Sequence, residues 1–473
     1  MIFNSFDFLW LCPLILFCYY LLNSLFHRKY GEIGNFFLIA ISYFVYMRWK
    51  PLAGLILLYI TSITYIFAQI IRKSKGRKFL LWLGVTMTLM PLFFFKYLGF
   101  VDELIGELIN GLGGTYSVHV SSFLMPLGLS FFTLQALGYM LDVYYERIEV
   151  ERNWWHYVLF VSFFPQIASG PINKAKDLLP QIKSFRHFKA YQFTQGLKWI
   201  LWGMFLKVVL ADRIGIYVDS IFNNYQYMSG LSCLVASILY SFQIYGDFAG
   251  YSFMALGVGE LFGFELVNNF KRPYLSSSVT EFWHRWHISL SVWLRDYIYI
   301  PLGGSRCSRL RNYWNIFITF FVSGIWHGAN LTYIFWGILH GIFQIIEKVF
   351  GIHKAESKGI IQYCRVFMTF ILVTFAWVFF RMPTLTDGFH VVSRIISNTD
   401  HSLATITPSM VVFIIMALTI VVLKDLVDEF APKQYSFFHH RSRCVRWFVY
   451  IALLLLILSC GVFDSGQFIY VSF

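Results

Sequence analysis

The stretch YWNIFITFFVSGIWHGANLTYIFWGILHGIFQIIEKVF, Tyr313 to Phe350, decides how this chain is read. It holds two apolar blocks, 313–329 and 331–350, each close to the roughly 20 residues a helix needs to cross a hydrocarbon layer. Near their junction, Gly324-Ile325-Trp326-His327-Gly328-Ala329 sets a titratable imidazole between two glycines. A polar group in hydrocarbon is costly unless it faces a cavity or a partner, which makes His327 a candidate functional residue. The alternative is a histidine hydrogen-bonded between packed helices. The flanking glycines let backbone or ligand come close, or let the helix break.

Working outward, the same pattern fills the chain. Of 473 residues, 58% are hydrophobic, 20% aromatic and only 13% charged, with a mean hydropathy of +0.60. A soluble domain would carry roughly 25% charged residues. Candidate spans are 7–26, 33–48, 51–71, 79–99, 122–144, 194–212, 231–262, 313–329, 331–350, 364–381, 409–424 and 446–463. The block 231–262 is too long for one simple helix, and Tyr245-Gly246-Asp247-Phe248-Ala249-Gly250 at its centre predicts a broken one. Segment 156–172 is apolar but short and interrupted by Pro165, Gly170 and Pro171, so it is expected to be re-entrant. These readings give an all-α polytopic membrane protein of about 11–12 transmembrane helices, plus re-entrant and interfacial amphipathic helices. No linker, repeat or second domain is evident, so 1–473 is read as one integral-membrane domain. The first apolar run has no small-residue cleavage site after it and is read as a retained helix.

Charge placement orients the chain. The net charge of +13 suggests nucleic acid at first sight, but the basic residues sit between apolar blocks. Arg72 to Lys78, Lys174 to Lys189, Arg306 to Arg311 and His439 to Arg446 all fall on one side. The loop Val101 to Val120 opposite them carries Asp102, Glu103 and Glu107 and no Lys or Arg. The positive-inside rule then puts both termini outside the cytoplasm. Seven scattered cysteines without a C-x-x-C pair argue against a disulfide framework and a zinc site.

A second polar constellation is Glu281 to Tyr297. Trp283, Trp286, Leu290, Trp293 and Leu294 recur at three- and four-residue steps, predicting an amphipathic helix at the interface with its tryptophans in the headgroup layer. His284 and His287, three residues apart, are not read as a metal pair, because only Glu281 and Asp296 stand near them. Pro301-Leu302-Gly303-Gly304-Ser305-Arg306 follows as a basic turn whose amides and Arg306 are candidates to receive phosphate, a plain turn being the alternative.

These residues carry a family resemblance. The stretches EFWHRWHISLSVWLRDYIYIPLGGSR (Glu281–Arg306) and GIWHGANLTYIFWGILHG (Gly324–Gly341) closely resemble the signature blocks of the membrane-bound O-acyltransferases. The matching branch is the bacterial one of alginate and peptidoglycan O-acetyltransferase membrane subunits. Ser162–Ile172, Tyr245–Ser252, Phe375–Arg381 and the N-terminal MIFNSFDFL match as well, so the resemblance covers nearly the whole chain. Position 284 departs from it, since the branch commonly has arginine where this chain has histidine. The resemblance implies acyl transfer from a cytoplasmic thioester, acetyl-CoA, towards a hydroxyl outside, in the bacterial inner membrane. It implies an essential base at His327 and a second important histidine at His287. His340 matches a block and is read as structural.

The rival class is a transporter or channel, in which broken helices and intramembrane polar residues also occur. Such proteins often show two related halves, and none are found here. Two further expectations concern the outer face. The loops there are short, so a separate extracytoplasmic transferase is needed to reach a polysaccharide acceptor; the resemblance suggests an SGNH-type serine enzyme. The tail Gly466 to Phe473 is aromatic and resembles the F-I-Y-x-x-F ending of the branch. Tyr470, whose phenol (pKa about 10) deprotonates more easily than an alcohol, is a candidate acyl relay, the alternative being that the tail anchors the partner or plugs the outer mouth.

Overall fold

The computed structural model describes residues 3, 6–26, 32–48, 50–117, 125–352, 359–397, 400, 402–404 and 407–463. The expected tail domain 464–473, with Tyr470, lies outside the described residues. Every regular element among the described residues is a helix. They divide into two compact units, one of residues 6–194 with 258–267, the other of residue 3, 195–257 and 268 onward.

The first unit holds α1 (Phe6–Phe26), α2 (Ile33–Met47), α3 (Pro51–Lys73) and α4 (Arg77–Leu92). A π-helical stretch, Phe93–Tyr97, carries α4 into α5 (Leu98–Gly111). After α6 (Leu129–Tyr144) the apolar segment at 156–172 forms only α7 (Trp154–Ser162) and α8 (Phe164–Ile167), followed by α9 (Ala175–Lys183). Pro165 has no amide to offer, and the Phe164 amide donates to the Ser42 hydroxyl instead, 3.1 Å away. The Phe160 carbonyl left over is taken by the carboxamides of Gln135 (2.5 Å) and Gln166 (2.7 Å), and Asn173 donates to Gln166 at 2.9 Å. Irregular backbone is thus satisfied inside protein, the condition for tolerating it in an apolar setting.

The second unit takes in most of α10 (Ala190–Met204) and α12 (Gly230–Leu261), with α11 (Asp212–Phe222) between them. Then come α13 (Val279–Arg285), α14 (Ile288–Leu294), α15 (Arg309–His327), α16 (Leu331–Val349), α17 (Ile360–Arg381), α18 (Leu385–Ser397), α19 (Pro408–Phe430) and α20 (Arg443–Cys460).

The break expected in 231–262 is absent, since α12 is one unbroken helix of 32 residues. Its glycines serve close packing. A Cβ on Gly250 would stand 2.8 Å from the Gly203 carbonyl oxygen, and one on Gly203 would stand 2.5 Å from that of Gly250. One helical heptad along, Gly257 meets the Gly196 carbonyl in the same way. Asp247, the other supposed breaker, is paired: Lys207 Nζ lies 2.7 Å from Asp247 and 2.7 Å from Asp212.

Six helical segments among the described residues are long and apolar enough to cross a membrane by length and composition. They are Pro51–Lys73, Arg77–Gly111, Gly230–Leu261, Ile360–Arg381, Pro408–Phe430 and Arg443–Cys460. The other expected spans coincide with α1, α2, α6, α10, α15 and α16.

Candidate active site

The site is built on the hairpin of α15 and α16. Its two backbones touch where the side chains vanish: a Cβ on Gly324 would lie 2.5 Å from the Tyr333 carbonyl oxygen, and one on Gly337 would lie 2.4 Å from that of Phe320. Ser308 caps the start of α15, and Asn330 caps α16 by accepting the Thr332 amide at 3.0 Å. Between the helices the chain turns at Gly328 to Asn330, so His327 is the last helical residue of α15. Its side chain points into protein, being 3% exposed, with ring centroids of Trp326 at 4.8 Å, Trp336 at 4.9 Å and Phe380 at 5.4 Å.

His287 arrives from a different element. The single interfacial helix expected over 281–297 is broken into α13, the residues Trp286–His287, α14 and a π-helical turn at Arg295–Tyr299. The cause is non-local. The Ile288 amide donates to the Asn269 carbonyl (3.0 Å), the Ser289 amide to the Asn269 side chain (3.0 Å), and the Lys271 amide to the Arg285 carbonyl (2.9 Å). His287 consequently has φ 42° and ψ 53°, a left-handed conformation that costs a non-glycine residue roughly 1–2 kcal/mol. Trp283, Trp286 and Trp293 do not lie in a headgroup layer but are buried in protein at 5%, 1% and 8% exposure. The break also parts the two histidines: His284 is exposed, while His287 is fully buried against Phe248 at 4.6 Å and Trp326 at 5.9 Å. Burial pulls the His287 imidazole down to about 3, so it is neutral at physiological pH.

The structure therefore brings His287 and His327 to one aromatic cluster in which Trp326 touches both rings. His340 joins it through Trp336, whose ring lies 4.9 Å from His327 and 5.0 Å from His340. The Trp283 indole N–H donates to His340 Nδ1 at 3.2 Å, which leaves the proton of a neutral His340 on Nε2. His340 thus holds a site helix, in keeping with a structural role.

Several contributors were not legible from spacing. Glu347 accepts the Val279 amide, the Thr280 amide (2.9 Å) and the Thr280 hydroxyl (2.8 Å), so α16 clamps the start of α13. Arg285 bridges Glu281 (2.6 Å) and Glu429 (2.9 Å), tying the end of α13 to α19. Burial alone would raise the Glu281 carboxyl, but the Ser277 amide and hydroxyl together with Arg285 hold it below the usual carboxylate range. A cavity of about 500 Å³ lies between α13–α14 and α15–α16, with Trp283 in its wall.

The turn at Gly303 and Gly304 is a turn with its amides already engaged: Gly303 donates to the Ile300 carbonyl and Gly304 to that of Tyr299, both at 2.9 Å. Asn312 and Asn315 hold the Gly304 carbonyl at 2.7 and 3.0 Å. Arg306 stands exposed at its end.

The model of the membrane-bound O-acyltransferase family matches residues 1–383. The chain belongs to that family. It is 36% identical over 401 residues to a protein of Pseudomonas syringae pv. tomato named "Probable alginate O-acetylase", covering 83% of this chain and 74% of the relative. It is 32% identical over 419 residues to the peptidoglycan O-acetyltransferase of Helicobacter pylori, covering 81% and 77%. It is 30% identical over 289 residues to the teichoic acid D-alanyltransferase of Streptococcus thermophilus, covering 58% and 66%. As a member of the O-acyltransferase family the chain is an acyltransferase of the membrane, and an acyl donor is its natural substrate.

Proposed function

We propose that this acyltransferase takes acetyl from acetyl-CoA in the cytoplasm and passes it outward for O-acetylation of a cell-envelope or exported polysaccharide. The observation that carries the reading is His327, sealed by Trp326, Trp336 and Phe380 at the end of an apolar helix, with His287 on the same indole. An imidazole is the group best matched to removing a hydroxyl proton near neutral pH, and a dry enclosure protects a thioester from hydrolysis. His327 takes the proton of an acceptor hydroxyl as its oxygen attacks the thioester carbonyl. The C–O bond forms, the C–S bond breaks, and the thiolate leaves with that proton. His287 acts on the donor side of the same cluster.

The acceptor hydroxyl in this reading is Tyr470, which holds the acetyl as a phenyl ester until the serine of an extracytoplasmic SGNH-type partner removes it. Phenolate is a better leaving group than an alkoxide, so such an ester suits a relay. The names of the alginate and peptidoglycan relatives support a polysaccharide as final acceptor. Arg306, presented by the Gly303–Gly304 turn, meets donor phosphate at the cytoplasmic mouth. The four basic clusters between apolar blocks support placement in the bacterial inner membrane with both termini outside.

Labelled acetyl-CoA supplied to membranes holding the wild-type protein is expected to yield an acetylated species. Labelling by another acyl thioester and none by acetyl-CoA contradicts the donor. Tyr470→Phe keeps the ring and removes the hydroxyl; it is expected to abolish polymer acetylation, and full acetylation by that variant contradicts the relay.

A further inference from the structure

A basic cluster that the reaction does not use sits where α10, α19 and α20 meet, within the second unit. The chain from Ala431 to Arg446 carries Lys433, Arg441, Arg443 and Arg446 and no Asp or Glu. Its middle is folded back onto the helices. Phe438 is buried against Trp202 of α10, with ring centroids 6.2 Å apart, and against Tyr450 of α20 at 6.1 Å. The Tyr450 hydroxyl donates to the Phe438 carbonyl at 3.2 Å, and the Arg446 guanidinium donates to the His440 carbonyl. Lys424 of α19 completes this floor, its Nζ 4.6 Å from the Trp202 ring centre.

Three basic side chains gather on that floor. Lys198 stands one turn before Trp202 on α10, His439 follows Phe438 directly, and Arg446 lies in the first turn of α20. Arg446 is near enough to Lys198 for their charges to repel. Partial burial, then Lys198, Lys424 and Arg446, push the His439 imidazole below its ordinary value, with Asp428 opposing them. The nearby carboxylates are engaged elsewhere. Asp428 pairs with Lys424 at 2.7 Å, Asp425 accepts the Tyr245 hydroxyl at 3.4 Å, and Glu429 is bridged by Arg272 and Arg285. Like charges held together in this way are unfavourable unless an anion from outside the chain compensates them.

The setting says what that anion is attached to. α20 is long and apolar enough to cross a membrane, so its first turn lies where hydrocarbon gives way to headgroups. Beyond Arg446, Trp447, Phe448, Ile451, Leu455 and Leu458 are exposed along the helix. Cations above an open apolar helix face match a molecule with a phosphate at one end and hydrocarbon at the other. A soluble phosphate would use only the first. We propose that Lys198, His439 and Arg446 bind the phosphate of an anionic phospholipid, whose acyl chains lie along the exposed face of α20. The site stands apart from the acyl-transfer reading, in which none of its residues has a step.

Native mass spectrometry of the purified full chain in detergent, titrated with phosphatidylglycerol or with zwitterionic phosphatidylcholine, tests it. Phosphatidylglycerol is expected to bind saturably and about tenfold or more tighter than phosphatidylcholine. Lys198→Glu combined with Arg446→Glu is expected to weaken phosphatidylglycerol by about tenfold or more and to leave phosphatidylcholine unchanged. Arg446 also holds the loop, so Lys198→Glu alone, with a loss of about threefold or more expected, carries the test if the double variant does not fold. Arg441→Glu combined with Arg443→Glu reverses the same charge at exposed positions outside the cluster and is expected to cost less than about threefold. Equal binding of the two lipids overturns the proposal, as does unchanged phosphatidylglycerol affinity in the Lys198 variants. An equal loss in the Arg441 and Arg443 variant assigns the effect to the overall field of the loop and overturns it too. Displacement of phosphatidylglycerol by inorganic phosphate at comparable concentration makes this a site for a soluble anion and also overturns it.

Discussion

Two regions of the second unit bury polar side chains among apolar helices, and they do so by opposite means. Lys207, Asp212 and Asp247 satisfy one another at 2.7 Å, with side chains only 2–3% exposed. His287, His327 and His340 pack among indole and phenyl rings, and His340 also accepts the Trp283 N–H. Charges locked in mutual ion pairs are held in place, because freeing any one exposes the others to a low-dielectric interior. An imidazole among aromatic faces can exchange a proton without leaving an orphaned charge next door. On the proposed function, the first region is scaffold, while His287 and His327 in the second carry the chemistry and His340 holds its helix.

If so, the two should fail differently. Lys207→Met leaves two buried carboxylates without their cation and is expected to cost about 3–5 kcal/mol of stability, read as loss of monodisperse protein or a large fall in melting temperature in detergent. A Lys207→Met protein as stable as wild type would break the comparison. Glu347→Ala removes charged acceptors from the start of α13 and is expected to cost about 1.5–3 kcal/mol, measured by the same melt. Gly324→Val pushes a side chain into the Tyr333 backbone and is expected to cost about 1–3 kcal/mol. Trp283→Phe keeps most of the ring but drops the bond to His340; about 0.5–1.5 kcal/mol is expected, and no loss would contradict the structural role given to His340.

Much of this was legible in the sequence, and the exceptions share one cause. The lengths of the apolar blocks marked the helices because hydrocarbon thickness constrains them directly. His327 was legible because an imidazole in such a block is expensive. The two helix-continuity errors were mirror images. In α12, Gly250 and Asp247 read as breakers, yet Gly203 and Lys207, more than 40 residues earlier or 40 away, turn them into packing and pairing positions. In Glu281 to Tyr297, the three-and-four spacing of the tryptophans runs straight through a break that Asn269 and Lys271 impose. Local periodicity does not carry the partner that decides either case. The Glu347 clamp and the wall of the cavity were hidden for the same reason, since each joins residues more than 50 positions apart.

The central claim is that His327 is the catalytic base of an acyl transfer rather than part of the packing. Its most direct test is thiol release from acetyl-CoA by membranes containing His327→Ala, alongside the melting temperature of the purified variant. The account predicts a protein that melts close to wild type and releases thiol roughly 10²–10⁴-fold more slowly. Near-wild-type release from a well-folded His327→Ala protein would contradict it.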